Sequence, residues 1–190
     1  MSNKVFAVIG IDDIGTHLVN GFVAKGVTPV ILTRKSSNTN FATKFPDTSL
    51  AMVRVESYEN VDEVAKTLKE NNIEVVCTLA NAVLALQYPL SEAAKQTGVK
   101  LNWTGSFFGY LSFFTGQDEN GKVNVLGKGD KPVSFTDEAD IGGLTAHVLT
   151  ALPPKELENR CFCIEGDHAT VVEMGKEARQ GDRLYQSCTR

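Results

Sequence analysis

An apolar run broken by glycine sets the first pattern along this chain. Residues 5–9 read VFAVI, a continuous apolar stretch typical of a strand buried on both faces. Gly10 interrupts the run, and from Ile14 to Val23 apolar residues recur three and four positions apart, as on one face of a helix. Gly26 then has the position of a C-cap. The pattern predicts a strand, a tight turn and an amphipathic helix.

Strand-like and helix-like patterns continue to alternate over the first half of the sequence. Apolar runs predict strands at residues 28–33, 50–55, 73–79 and 99–103, and helical periodicity predicts helices at residues 60–70 and 84–96. Asn60 and Glu63 have the spacing of an N-cap and its capping-box partner. Pro89 is expected to end, kink or restart the second helix, with Ser91 as the cap of its later half.

The fold class follows from this alternation. Strands that alternate with helices predict an α/β fold, here a Rossmann-like parallel sheet with helices on both faces. Residues 1–104 are the expected dinucleotide-binding core. Residues 105–174 are expected to form a shortened substrate-side segment that returns to the core as a small C-terminal β/α extension, followed by a polar tail at residues 175–190.

The second half of the chain has a less regular pattern. Residues 104–116 hold five aromatic side chains and three glycines, which fits either a pocket for a flat substrate or a core or interface segment. Short strands are expected at residues 123–126, 132–136 and 160–165. A helix is expected at residues 137–152, with His147 near its apolar stripe as a buried, hydrogen-bonded histidine. Thr170 and Glu173 have capping-box spacing.

Composition and charge narrow the function classes. The 190 residues carry a net charge of −4 without a cluster of basic residues, which argues against a nucleic-acid partner. No apolar run approaches the roughly 18 residues of a membrane helix, and no signal peptide precedes the first strand, so a cytoplasmic protein without a membrane partner is expected. The four cysteines include no C-x-x-C pair, so reduced thiols and no metal site are expected.

The turn after the first strand carries the candidate chemistry. Gly10, Asp12 and Gly15 take the three glycine positions of G-x-G-x-x-G, the loop that holds a dinucleotide pyrophosphate at a helix N-terminus. The first and third positions match. The middle position, where glycine permits close approach of the phosphate, is an aspartate, so binding is expected to be weakened unless the carboxylate caps the helix and points away.

The end of the second strand indicates which dinucleotide is bound. Thr33, Arg34 and Lys35 lie about 20 residues beyond the glycines, where an acidic residue would bind the ribose hydroxyls of NAD. Arg34 can instead form a bidentate contact with a 2′-phosphate and stack on an adenine ring, which favours NADP. The alternative is an ordinary exposed basic turn.

With these segments, the chain resembles the NmrA-like branch of the atypical short-chain dehydrogenases, which includes isoflavone-reductase-like enzymes. Three stretches carry the resemblance: residues 5–34, residues 61–100, and residues 120–167 with the run GKGDKPVSFTDEADIGGL. The resemblance implies an oxidoreductase that binds NADP(H) through three segments. By position these segments contain Gly10, Asp13, Ile14 and Gly15; Thr33, Arg34 and Lys35; and Ala80 and Asn81.

The chain departs from this family where the catalytic lysine is expected. Residues 98–100 run almost directly into residues 103–109, as though the block that carries that lysine were missing. None of the four tyrosines has a lysine four residues later, so no catalytic residue is assigned. Two functions stay open: a reductase of a small aromatic substrate, or a non-catalytic regulatory protein that senses the cofactor. A homo-oligomer or a protein partner is compatible with both.

Asp12→Gly is expected to tighten NADPH binding, because a carboxylate about 4 Å from a pyrophosphate oxygen costs about 1 to 4 kcal/mol. That energy corresponds to about a tenfold to a thousandfold change in Kd. A titration that follows nicotinamide fluorescence measures the change. An unaltered Kd would mean that the carboxylate points away from the phosphate.

Overall fold

Two compact units make up the chain in the computed structural model, which describes residues 4–11, 13–38, 41–46, 50–78, 84–104 and 127–173. The first unit comprises residues 1–106 and 138–162, and the second comprises residues 107–137 and 163–190. The chain therefore leaves the first unit and later re-enters it.

Parallel strands form the centre of the first unit. They are β1 (Phe6–Ile9), β2 (Val30–Arg34), β3 (Met52–Val55), β4 (Val75–Thr78) and β5 (Leu101–Thr104). Their order in the sheet is β3-β2-β1-β4-β5, so β1 is central and the direction of winding reverses between β1 and β4. Every residue of β1 and β4 is buried, as the continuous apolar runs predict. In sheets of this kind, ligands bind beyond the carboxyl ends of the strands at the reversal point.

Helices cover both faces of this sheet. They are α1 (Asp13–Ala24), α2 (Phe41–Lys44), α3 (Val61–Glu70), α4 (Leu84–Gln96), α5 (Glu138–Ala151) and α6 (Pro154–Leu157). On one face α1 packs on the sheet, with the ring centroids of Phe6 and Phe22 4.6 Å apart, and α5 packs against α1. On the other face Leu68 of α3 and Leu90 of α4 share a core with Ile9. The predicted Rossmann-like class is confirmed.

Local sequence signals give several helix ends correctly. Asn60 caps α3, since its Oδ1 accepts a hydrogen bond from the Glu63 N–H at 3.2 Å. Gly26 has a φ of +71°, and the N–H of Val27 donates to the Phe22 carbonyl, so α1 ends in a Schellman motif.

The prediction that Pro89 ends or restarts a helix is not met, because α4 continues through it. Leu90, Ala93 and Ala94 are all buried beyond the proline, and their packing holds the later turns in the helix. The Ser91 hydroxyl, expected as a cap, instead accepts a hydrogen bond from the Asn102 amide at 2.7 Å.

The expected burial of His147 is wrong. His147 is exposed, and α5 instead buries a stripe of mostly small residues, namely Gly142, Thr145, Ala146, Val148 and Leu149. The reason is the close approach of α5 to α1. A Cβ on Gly142 would lie 2.5 Å from the His17 carbonyl carbon, and one on Gly21 would lie 2.9 Å from the Gly142 oxygen. Backbones this close leave no room for the larger apolar side chains used to predict the stripe.

The second unit contains an antiparallel pair, β6 (Pro132–Phe135) and β7 (Asp167–Thr170), with Phe135 opposite Asp167. The prediction of a strand at residues 160–165 is wrong. Those residues have no strand partner in the described part of the chain, and pairing starts only beyond Gly166. The Gly166 N–H donates to the Phe135 carbonyl at 2.9 Å and so opens the ladder. Residues 123–126, the other predicted strand, lie outside the described residues.

The predicted capping box in this unit is confirmed. The Thr170 Oγ1 accepts a hydrogen bond from the Glu173 N–H at 3.1 Å, and the Glu173 carboxylate accepts one from the Thr170 N–H at 2.8 Å.

Two adjacent glycines of α5 provide a test of the helix packing. Gly142→Ala is expected to lower the free energy of unfolding by about 1–3 kcal/mol, because the new Cβ meets the α1 backbone. Gly143→Ala is the matched control, since nothing lies within 4 Å of its added Cβ. That variant is expected to raise the free energy of unfolding by about 0.5–1 kcal/mol through helix propensity. Urea unfolding measures both values, and equal effects would contradict the packing.

Candidate functional site

Two glycines shape the turn between β1 and α1. Gly10 has a φ of +88°, a conformation that favours glycine. Gly15 lies in the first turn of α1, and a Cβ there would be only 1.9 Å from the Gly10 carbonyl oxygen. The helix therefore begins directly against the backbone of the turn. These are the roles of the first and third glycines in a dinucleotide-binding loop.

A lysine from α2 is fixed on the same turn. The Lys44 ammonium donates hydrogen bonds to the Ile11 carbonyl at 2.9 Å and to the Thr16 Oγ1 at 3.2 Å. The Thr16 hydroxyl in turn donates to the Ile11 carbonyl at 3.1 Å. The Ile11 side chain is buried, so the turn is held both by core packing and by the hydrogen bond from Lys44. The ammonium puts a positive charge beside the N-terminus of α1.

Sequence reasoning missed Lys44 because residues 38–49 show no clear periodicity. The signal was the four-residue spacing of Phe41 and Phe45, which is helical. Phe45 is buried, and its N–H donates to the Phe41 carbonyl at 2.9 Å. This packing and this hydrogen bond hold the short helix α2, which ends at Lys44.

The other predicted residues of the turn are placed only in part. Ile14 is half-buried in α1, and Asp13 is the first residue of that helix. Asp12 lies outside the described residues, as do Ala80 and Asn81. The nearest described neighbour of the last two is Thr78, which is buried at the end of β4 and donates to the Gln87 side chain at 3.0 Å.

The second predicted segment lies at the carboxyl end of β2, beside the turn. Ile9 is paired with Leu32, so β1 and β2 end side by side and the residues after each strand share one edge of the sheet. Thr33 is buried, whereas Arg34 and Lys35 are exposed at this edge. The structure thus brings together the glycine turn and the basic corner that the sequence predicted as partners.

The Arg34 side chain is held against an aromatic ring. Its guanidinium carbon lies 5.6 Å from the centroid of the Tyr58 ring, within the range of a cation–π interaction. Tyr58 is only 5% exposed, and its hydroxyl donates to the Leu32 carbonyl at 3.2 Å. The ring is therefore a fixed support, and Arg34 extends over it from the end of β2.

Lys35 has an acidic partner on the next strand. Its ammonium forms an ion pair with the carboxylate of Glu56, the residue that follows β3. The hydrogen bond to Glu56 and the Glu56 charge raise the pKa of Lys35 above its ordinary value. The Glu56 N–H donates to the Glu63 Oε1 at 3.0 Å. Sequence reasoning did not include these two glutamates in the site: the register of β2 and β3 places Glu56, and a hydrogen bond to the Glu56 N–H places Glu63.

The described residues show few other features that indicate a function. Burial raises the pKa of the Cys77 thiol well above its ordinary value, which leaves that thiol unreactive at neutral pH. The described ranges contain no group of three His, Cys, Asp or Glu side chains arranged to hold a metal ion. None of the helices described in them is long and apolar enough to cross a membrane.

The fold is similar to that of several solved structures, one of which is an isoflavone reductase. A structure titled "AtPrR2 in apo form" aligns with a TM-score of 0.64 at 19% identity, over 78% of this chain and 67% of that one. Isoflavone reductase aligns with a TM-score of 0.59 at 15% identity, over 77% of this chain and 66% of that one. AtPrR2 with NADP+ and (+)pinoresinol aligns with a TM-score of 0.58 at 17% identity, over 78% of this chain and 66% of that one.

These TM-scores show a shared fold, and the chain spans about two thirds of the length of each of those proteins. No family model matches the sequence, and a search of the curated proteins found no significant match.

Lys44→Met is expected to lower the free energy of unfolding by about 0.5–1.5 kcal/mol, because the Ile11 carbonyl and the Thr16 hydroxyl lose a charged donor. Lys66→Met is the control, since it removes the same charge from an exposed pair with Glu70 worth about 0.3–0.5 kcal/mol. Urea unfolding measures both. Equal losses in the two variants would show that the contacts of Lys44 with the turn contribute nothing.

Proposed function

We propose that this protein binds NADP(H) at the carboxyl edge of its parallel sheet. One observation carries the proposal: the glycine turn after β1 and the basic corner after β2 lie side by side at that edge. A dinucleotide needs both a site for its pyrophosphate and a site for its adenosine ribose, and neighbouring strands supply them.

In the proposed complex the pyrophosphate lies at the N-terminus of α1. The unpaired N–H groups and the dipole of a helix start favour an anion there. Gly10 and Gly15 allow α1 to begin directly against the turn, so the first N–H groups of the helix lie at the carboxyl edge of the sheet. Lys44, already bonded to the Ile11 carbonyl, adds a positive charge beside the same turn. Asp13, Ile14, Ala80 and Asn81 stay proposed contacts from their positions in the sequence.

The 2′-phosphate is assigned to Arg34. A guanidinium binds a phosphate through two parallel hydrogen bonds, which distinguishes NADP from NAD. The Arg34 guanidinium is exposed and lies against Tyr58, and stacking of this guanidinium on adenine is part of the proposal. Thr33, which is buried, sets the position at which the chain turns out of the sheet.

The chemistry proposed for the bound cofactor is reduction. The sequence resemblance to NmrA-like reductases and the shared fold with AtPrR2, solved with NADP+ and (+)pinoresinol, both support a protein of this family. NADPH, when bound, supplies a hydride, and a small aromatic molecule is the proposed acceptor. The residues of this chain bind and orient the dinucleotide. No residue is assigned as a general acid.

The second candidate function is cofactor sensing without catalysis. It is favoured by the sequence, in which none of the four tyrosines is followed by a lysine four residues later and the block expected to carry the catalytic lysine is missing. A sensor needs the same binding residues as a reductase but no proton donor at the substrate. The two functions therefore share the site and differ in turnover.

Dinucleotide titration tests the shared part of the proposal. NADPH is expected to bind saturably and to stabilise the protein against heat, and to bind more tightly than NADH. Arg34→Ala is expected to weaken NADPH binding by about tenfold to a hundredfold through loss of a charge-assisted pair, with little effect on NADH. Nicotinamide fluorescence and thermal unfolding measure these changes.

The control for Arg34→Ala is Arg160→Ala. Arg160 is an exposed arginine that follows α6, beyond the carboxyl end of α5. Its loss is expected to leave both Kd values unchanged. If NADPH gives no stabilisation at millimolar concentration, the cofactor proposal fails; if Arg34→Ala retains the preference for NADPH, Arg34 is outside the site.

Turnover separates the two candidate functions. Bound NADPH is mixed with (+)-pinoresinol as an aromatic probe, and the nicotinamide absorbance is followed. Oxidation of NADPH that depends on the probe supports a reductase. Tight NADPH binding without oxidation by this or other small aromatic probes supports a sensor.

A further inference from the structure

Two carboxylates lie at the corner that is proposed to hold the 2′-phosphate. Arg34 is paired with Val55 in the register of β2 and β3, so the next residues, Lys35 and Glu56, leave the sheet side by side. Glu63 reaches the same corner from the first turn of α3, where its Oε1 accepts the Glu56 N–H. The two positive charges of the corner are therefore matched by two negative charges.

The Lys35 ammonium is engaged in an ion pair with Glu56. The Lys35 ammonium donates to the Glu56 carboxylate, and the Lys35 N–H donates to the Val55 carbonyl at 2.8 Å, so side chain and backbone both hold Lys35 beside β3. Arg34, by contrast, is supported by an aromatic ring that carries no charge. The charge of Lys35 is therefore neutralised by a neighbouring carboxylate, whereas the charge of Arg34 lies beside a neutral ring.

Glu56 is itself held in place. The Asn60 side chain caps α3 by accepting the Glu63 N–H, and Glu63 fixes the Glu56 backbone through its Oε1. Within the described residues, the Glu63 Oε2 is buried and has no hydrogen-bond partner. A carboxylate with one buried oxygen cannot swing into solvent without breaking these contacts. The Glu63 carboxylate and the Glu56 backbone are therefore fixed by the fold, and the exposed Glu56 carboxylate is held by its ion pair with Lys35.

We infer that Glu56 is a specificity-determining residue that weakens the preference of this site for NADP(H) over NAD(H). This inference rests on the proposed cofactor function. Glu56 competes with a 2′-phosphate for the Lys35 ammonium and repels the phosphate charge. NAD(H) carries no phosphate at that ribose and is unaffected. Arg34 is then the cation that discriminates between the two dinucleotides. Lys35 does not contribute while it is paired with Glu56.

Glu56→Gln tests the inference, because it removes the charge and keeps the shape of the side chain. The Kd for NADPH is expected to fall by about threefold to tenfold, as for one unit charge removed some 6 Å from a phosphate in water. The Kd for NADH is expected to change by less than about twofold. The gain is expected to shrink as salt is added, since exposed charges are screened.

Glu70→Gln is the matched control. It also removes one negative charge, but at the carboxyl end of α3, where Glu70 is exposed and lies 3.8 Å from Lys66. Both Kd values are expected to stay unchanged in this variant. Thermal unfolding of each variant without cofactor confirms that the fold is retained.

Lys35→Met distinguishes competition for Lys35 from simple repulsion. In the wild-type background Lys35→Met removes no direct bond to the phosphate, so the NADPH Kd is expected to rise by only about twofold to threefold, through the Glu56 charge that loses its partner. In the Glu56→Gln background the same change is expected to remove most of the gain. Additive effects of the two substitutions on the NADPH Kd would contradict the claim that Glu56 competes with the phosphate for Lys35.

Two results overturn the inference, and they are distinguishable. If no dinucleotide binds to the wild-type protein, the proposed function fails and the inference fails with it. If NADPH binds and Arg34→Ala abolishes its preference, but Glu56→Gln leaves the ratio of NADPH and NADH affinities unchanged, the inference fails alone.

Discussion

The contact between Gly15 and the Gly10 carbonyl determines where everything else in the candidate site lies. It allows α1 to start against the backbone of the turn, and no side chain fits between them. The opposite side of α1 is held just as closely by α5, again through glycine. The amino end of the first strand is tied to the same helix pair, because the Lys4 ammonium donates to the Leu149 and Leu152 carbonyls. The proposed phosphate site is therefore bounded by a helix whose position is fixed by close backbone contacts with both the turn and α5.

In the proposed complex, the distribution of charge around this turn determines which dinucleotide is preferred. Lys44 adds a cation at the turn, and Arg34 adds one at the end of the neighbouring strand. Glu56 and Glu63 offset part of that charge at the corner. A site of this kind is expected to bind the part common to all nicotinamide dinucleotides through backbone geometry, and to distinguish among them through a small balance of opposite charges.

Local signals in the sequence were sufficient for the central part of the fold. The buried run of β1, the Asn60 cap and the Thr170–Glu173 box depend on residues within one or two turns of each other, so their spacing carries the information. The exposure of His147 and the start of β7 depend on a partner far along the chain, and no short pattern encodes that partner. Lys44 contacts a residue 33 positions away, and Glu56 reaches Lys35 only through the strand register.

The packing of α5 on α1 also determines the order in which this protein can be assembled. The helix that covers α1 belongs to residues 138–162, whereas the rest of its unit ends at residue 106. During synthesis, α1 and its strand emerge long before their covering helix exists. The face of α1 that contains Gly21 therefore stays uncovered while the intervening residues are made. Contacts between residues far apart in a chain slow folding, and here α1 must meet the distant α5 to close the unit.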